Sequence, residues 1–398
     1  MATSPSRDYG CQHVSLDDEA RAELQALADI HRLRTPRILD GRQGVQALVD
    51  GAEVLNFASN DYLGLAGDPR LVEAAKESLE RQGSGAGASR LIIGNHREHV
   101  ELERDVANWV GVEAAQLFNS GYAANTGVLT ALLREGDVVF SDELNHASIV
   151  DGCRLSRAQI AVYKHCDLAD LERLLKLHGG RRRIVVSETV FSMDGDIVDG
   201  EALAQIAKRH AAHLVVDEAH AMGVLGLDGR GVVEGKADLV IGTFGKALGS
   251  FGAFAATSRA VADLLWNRSR PLIFSTGLPP HVAAASRRAI QIARGGEGQQ
   301  RREQLRAVIS QFHDGVPEVG GHAGVPIASW VIGDDQRTAE IGRQLFEHGL
   351  LVGAVRPPTV PPGTSRLRIS FSANHQSGDV DRLIATTQRV IAGDARPR

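Results

Sequence analysis

The chain has 398 residues, 43% of them hydrophobic and 23% charged, with a formal net charge of -5. That composition predicts a folded chain too long for one core, and its mild acidity excludes long-range attraction to nucleic acid or an anionic membrane. Cys11, Cys153 and Cys166 show neither even pairing nor zinc-site spacing, and no run approaches the ~20 apolar residues of a membrane-spanning helix. No metal and no membrane are therefore expected, and a reducing, cytoplasmic setting fits.

In chain order, the first fifteen residues read as a tail, and residues 16–34 carry apolar positions at helical spacing until Pro36 interrupts them. An N-terminal helical arm is expected over 1–55. From about 98 to 257, the apolar runs AAQLF, DVVF, RIVVSE, HLVVDE and DLVIGT alternate with amphipathic stretches near 122–133, 146–155 and 201–211. Such alternation predicts an α/β fold, a mostly parallel sheet with right-handed helical crossovers, in a large domain over 56–285. Ligands on such sheets lie beyond the carboxyl ends of the strands, where Asn119, Glu188, Asp217 and Thr243 fall. Helices near 281–294, 299–313, 337–348 and 378–392, with strand-like PIASWVIG, LLVGAV and RLRISF, predict a smaller α+β C-terminal domain over 286–398. Its last residues, Ala-Arg-Pro-Arg, read as a frayed end.

The run HLVVDEAHAMGVLG ends a strand on Asp217 and places His220 on the turn that follows. Alone, a strand-end carboxylate is more often a cap. The run DLVIGTFGKALGSFGAF then presents Lys246 in a glycine-rich apolar turn, where burial lowers an amine's pKa and supplies the neutral form that condenses with an aldehyde. Pyridoxal 5′-phosphate (PLP) needs that lysine together with an acid for its ring nitrogen, an anion site and a group on its ring face. Asp217 serves as the acid. Ser120, Gly121 and Tyr122 open a helix whose free N–H groups suit phosphate, with the Thr243 hydroxyl beside them. His146, in ELNHASIV, is placed to stack on the ring, and Ser192, in ETVFSMDGD, is either a donor to the ring hydroxyl or an N-cap.

The motifs SNDYLGL, GSGAGASRLIIGNH, SGYAAN, NHAS, ETVFSMDGD, DEAHAMGVLGLDGRG, GTFGKALGSFGAF and RPPTVPPGTSRLRIS occur in this order over residues 59–370. Together they resemble the α-oxoamine synthases, fold-type I PLP enzymes that join an amino acid to an acyl thioester and lose carbon dioxide. The resemblance implies Lys246 as the Schiff-base lysine, Asp217 on the ring nitrogen, His220 and Ser192 near the ring hydroxyl, and His146 on the ring face. It implies Gly121, Tyr122 and Thr243 as further cofactor-binding residues. On the substrate side it implies Arg356 for the amino acid carboxylate, with Thr359, Asn60, His146 and Arg32, Arg34 being a close rival to Arg32.

The segment RPPTVPPGTSRLRIS, followed by AN, resembles most the branch that condenses L-alanine with a pimeloyl thioester of CoA or an acyl carrier protein in biotin biosynthesis. The alternative is a branch using glycine or serine with another acyl-CoA, since one methyl group is worth only ~1–3 kcal/mol in a pocket. A homodimer is implied as well, with Ser275 and Thr276 reaching a neighbour's phosphate.

Overall fold

The structure is a computed structural model and describes residues 14–393. Most of the expected N-terminal tail, Cys11 and the frayed C-terminal residues lie outside the described residues. The helix Leu16–Asp29 starts at Ser15, whose Oγ accepts the Asp18 N–H at 3.1 Å, and none of its residues is buried.

The helical arm ends there. Residues expected to continue it form three antiparallel strands, β1 (Leu39–Asp40), β2 (Gln46–Val49) and β3 (Ala52–Asn56). The physical reason is a change of period: QALV alternates exposed and buried positions, and Asp50-Gly51 follows with positive φ at both residues, the turn that suits a two-residue hairpin.

The central sheet has seven strands: β4 (Ala114–Phe118), β5 (Val138–Asp142), β6 (Gln159–Tyr163), β7 (Arg183–Glu188), β8 (His213–Asp217), β9 (Leu239–Thr243) and β10 (Ala253–Thr257). They are ordered β4-β10-β9-β8-β7-β5-β6. The five from β9 to β6 are mutually parallel, while β10 runs antiparallel to both β9 and β4. Strands β4, β5 and β10 are buried along their whole length, as expected of apolar runs covered by helices on both faces. The carboxyl ends of β5, β7, β8 and β9 bring Asp142, Glu188, Asp217 and Thr243 to one edge of the sheet.

Farther along lie β11 (Ile327–Gly333), β12 (Leu350–Leu351), β13 (Gly353–Val355) and β14 (Ser365–Ser370). Strands β11, β14 and β13 make an antiparallel sheet, while β12 pairs in parallel with β3. The first and last parts of the chain therefore share a sheet, which carries the N-terminal arm to the C-terminal part.

Two glycines fix the approach of elements at the site. A Cβ on Gly152, in the helix Ala147–Ser156, would stand 2.8 Å from Leu129 Cδ1 and 3.1 Å from the Asn125 oxygen. Its absence lets that helix lie tightly against Gly121–Leu132, the helix that carries Asn125. Gly249, at φ +60°, passes so close to Leu65 and Ala66 that a Cβ would lie 2.2 Å from the Ala66 nitrogen. Its N–H closes the turn by donating to the Lys246 carbonyl at 2.9 Å.

Candidate active site

A cavity of roughly 200 Å³ opens at the carboxyl edge of the central sheet, lined by Gly121, Tyr122, His146, Asp217, His220, Thr243 and Lys246. Seven residues picked from scattered motifs thus meet around one small space. Asn125, Ser148, Glu188 and Ala219 complete its wall.

Lys246 follows β9 on the glycine turn, and its Nζ lies 2.8 Å from His220 Nε2. Burial lowers the lysine pKa against the opposing pull of the Asp217 and Glu188 carboxylates, which favours the neutral, nucleophilic amine. His220 is buried, and burial together with the Lys246 charge drives its pKa well down, so it is a neutral ring. Neighbouring groups then set its tautomer. Nε2 accepts from Lys246, Nδ1–H donates to the Tyr62 hydroxyl at 2.7 Å, and that hydroxyl donates to Asn60 Oδ1 at 3.1 Å. Asn60 Oδ1 also accepts from Arg368 Nη2 at 3.0 Å, so a continuous chain of hydrogen bonds runs from the lysine to a buried arginine.

Asp217 is held on both oxygens, one by the Ala219 N–H at 2.8 Å and the other by Asn125 Nδ2 at 2.7 Å. The same Asn125 amide donates to Ser148 Oγ at 3.0 Å, which lies 2.7 Å from His146 Nδ1. Because Ser148 N–H also donates to Nδ1, the His146 proton is on Nε2, for which no protein partner stands among the described residues. Partial burial lowers the His146 pKa and keeps the ring neutral. Its backbone N–H is fixed at 2.6 Å by Glu188, a carboxyl that burial and the nearby Asp217 charge push upward.

At the anion end, Ser120 caps the helix by accepting the Ala123 N–H, and the N–H groups of Gly121 and Tyr122 have no acceptor among the described residues. A Cβ on Gly121 would meet nothing within 4 Å, so open space lies beside these donors. Thr243 lines the same cavity, its hydroxyl donating to the Gly252 carbonyl at 2.9 Å. Asn125 Oδ1 is buried with no partner among the described residues, an acceptor in the wall that a bound group can satisfy. A lowered-pKa amine, a positioned carboxylate, a helix start and a neutral imidazole together fit PLP.

The substrate-side candidates are less tightly gathered. Ser192, expected beside the ring hydroxyl, does not line the cofactor cavity; with Thr359 it lines a second recess of about 330 Å³, together with Leu144, Phe191, Asp196 and Val360. Arg368 links the two spaces, since its Nε donates to the Ser192 carbonyl at 2.6 Å while its Nη2 holds Asn60. Arg356 donates to the His31 carbonyl on the N-terminal arm and has no carboxylate within ion-pair reach among the described residues. Arg32 is engaged by Asp335 at 2.8 Å, whereas Arg34 reaches Thr359 Oγ1 at 3.0 Å.

Asn125, Ser148, Tyr62 and Arg368 were not singled out from the sequence. A partial signal existed for the first: Asn125 lies four residues after Gly121, on the same helix face. A further signal was the pair of arginines inside RLRIS, cations in a strand whose residues are all buried.

Comparison with known proteins gives a consistent result. A family model for aminotransferase class I and II matches residues 52–386. Over 377 residues the chain is 46% identical to an 8-amino-7-oxononanoate synthase of Geobacter sulfurreducens, covering 92% of this chain and 96% of that one. A serine palmitoyltransferase from S. paucimobilis, solved with bound PLP, is 31% identical at a TM-score of 0.89, covering 95% of this chain and 98% of that one. An 8-amino-7-oxononanoate synthase from Francisella tularensis superposes at a TM-score of 0.73 with 27% identity, covering 86% and 98%.

Proposed function

We infer the reaction from one premise: this chain belongs to the aminotransferase class I and II family and, within it, to the α-oxoamine synthases, which are PLP-dependent acyltransferases. It condenses L-alanine with a pimeloyl thioester to 8-amino-7-oxononanoate, carbon dioxide and a free thiol, in biotin biosynthesis. The observation that carries this reading is the meeting of Lys246, Asp217, His220 and His146 around one cavity, in a chain 46% identical to a synthase of that name.

PLP, when bound, supplies an electron sink for the pair left at the substrate α-carbon. The chain's own groups do the rest. Lys246 Nζ would hold the cofactor through its aldehyde and, as a neutral amine, would take the substrate α-proton, roles that its lowered pKa suits. Asp217, fixed by Ala219 and Asn125, keeps a proton on the ring nitrogen. His220 receives a hydrogen bond from Nζ and passes its orientation to Tyr62 and Asn60. His146 offers its Nε2–H to the substrate carboxylate or acyl carbonyl. Arg356, a guanidinium without a carboxylate partner among the described residues, binds the alanine carboxylate, and the recess around Ser192 and Val360 takes the acyl chain.

The acyl carrier is CoA or a carrier protein, and the enzyme is a cytoplasmic homodimer. An exposed apolar patch supports the dimer: Ile92, Ile93 and Phe274 are 76%, 79% and 70% exposed, and their two segments are tied by the Ser89–Thr276 bridge. Thr276 belongs to that patch, and its carbonyl accepts from Asn119 at 3.0 Å. No helix among the described residues is long and apolar enough to cross a membrane.

The test is a panel of alanine, glycine and serine against pimeloyl and longer acyl thioesters, with mass detection of the product. Release of 8-amino-7-oxononanoate from alanine alone is expected. A product from glycine or serine in preference would overturn the assignment.

A further inference from the structure

A second set of charges lies outside the cofactor cavity and touches the wall of the acyl recess. Strand β5 ends on Asp142, which is buried and stands four residues before His146. Its carboxylate accepts the N–H groups of Leu144 and Cys166 and, at 2.9 Å, His165 Nδ1–H. The other side of the same imidazole, Nε2, meets Asp196 Oδ2 at 3.2 Å and Cys166 Sγ at 3.6 Å. Both ring nitrogens therefore face carboxylates, an arrangement satisfied when both carry protons. Burial opposes that charge, but the Asp142 and Asp196 carboxylates outweigh it and hold the His165 pKa at about 12. The ring also stands edge-on to Phe191, with centroids 4.3 Å apart.

Phe191 and Asp196 are the two ends of one tight loop. The Phe191 N–H donates to the Asp196 carbonyl at 2.9 Å, and the Gly195 N–H returns to the Phe191 carbonyl at 3.0 Å. The loop supplies Phe191, Ser192, Met193, Asp194 and Asp196 to the recess, and Leu144, from the turn after β5, adjoins them. From the C-terminal part, Arg366 pairs with Asp194 and Arg368 holds the Ser192 carbonyl, so β14 grips the loop through two guanidinium groups. Beyond the pairing of β5 with β7, a side-chain tie from the loop to β5, the strand that leads into His146, runs through His165.

We propose that His165 is a positioning residue for the acyl thioester: bridging Asp142 and Asp196, it holds the Phe191–Asp196 loop in register with the turn that carries His146. The proposal rests on the reading that the acyl chain occupies this recess. It makes His165 a joint between the recess wall and the turn after β5, beside the two arginine contacts from β14, while the cofactor cavity is built on other contacts.

The test separates the two substrates. His165→Gln keeps a side chain that satisfies one carboxylate and loses the bridge. In the holoenzyme it is expected to raise the thioester KM about tenfold, while alanine α-proton exchange into deuterated buffer, measured without thioester, stays within twofold of wild type. Asp196→Asn, which leaves the His165–Asp142 contact in place, is expected to raise the same KM, and the double variant should be no worse than His165→Gln alone. Equal losses of exchange and condensation would overturn the proposal in favour of a general structural role, as would an unchanged thioester KM. Additive effects of the two substitutions would also overturn it. The split is read with whichever thioester the wild-type enzyme consumes, so a wrong chain length or carrier falls on the reaction assignment alone.

Discussion

The cofactor cavity and the substrate side are built in different ways. Around the cavity, each functional group sits at a strand end or helix start and is fixed by close partners, as Asp217 is by Ala219 and Asn125 and His146 is by Glu188 and Ser148. On the substrate side, Arg32, Arg34 and Arg356 make contacts between the N-terminal arm and residues more than 300 positions away, and all but Arg32 lie at exposed contacts. Groups held by the sheet serve chemistry that tolerates little displacement. Groups held between distant segments can be adjusted without touching the sheet, and that is where substrate choice can change.

The largest effect should come from the cavity. Lys246→Ala is expected to lower kcat by a factor on the order of 10⁴ or more, as for other covalent catalytic groups, and to abolish the visible absorption band of the bound cofactor. The pH dependence follows from the lowered lysine pKa. Uptake of PLP by the apoenzyme needs the neutral amine, so its rate should rise with pH and level off below the ordinary lysine value of 10.5. A rate still climbing beyond that value would show that the amine is not desolvated.

A middle effect tests whether the cavity acts as a hydrogen-bonded unit. Asn125→Leu removes the donor to Asp217 and to Ser148 together. A hydrogen bond to a charged group is worth about 1.5–3 kcal/mol, so kcat should fall roughly ten- to a hundredfold with little change in the thioester KM. A change in KM alone would break the contrast between the two regions.

The same contrast explains what was legible in the sequence. Apolar runs ending in Asp217 and Glu188, and a glycine turn around Lys246, are local signals, and the parallel sheet makes their convergence a consequence of topology. The hairpin over 46–56 falls within the segment expected as a helical arm, beyond the helical pattern that Pro36 ends, and its own signal is Asp50-Gly51 within an alternating run. Arg368 and Tyr62 escaped notice because their roles depend on partners such as Ser192 and His220, which no spacing connects. His165 belongs to the same class: its neighbours Asp142 and Asp196 lie 23 and 31 positions away.

On the substrate side, Arg356→Lys is expected to raise the alanine KM about tenfold and to spare α-proton exchange at saturating alanine, since an ammonium cannot reproduce a two-pronged carboxylate contact. An unchanged KM would shift the carboxylate site to Arg368, the buried guanidinium that already faces Asn60.

The smallest effect decides between two arginines that spacing alone left tied. Arg32 is taken up by Asp335, with side chains 29% and 16% exposed, and such a partly exposed pair is worth no more than ~1 kcal/mol. Arg32→Ala should therefore lower Tm by about 1 °C at most and leave both KM values unchanged. Arg34 lies against Thr359 on the rim of the recess proposed for the acyl chain, and its charge acts on Arg356, whose pKa is lowered by burial first and by Arg34 second. Arg34→Ala should shift a substrate KM two- to fivefold with Tm unchanged, because a side chain at an exposed contact contributes little to the fold. If the KM change follows Arg32 instead, the arm must move on substrate binding and exchange Asp335 for a substrate carboxylate. The arm would then belong with the moving parts of the site, and the division between a fixed cavity and an adjustable rim would become sharper.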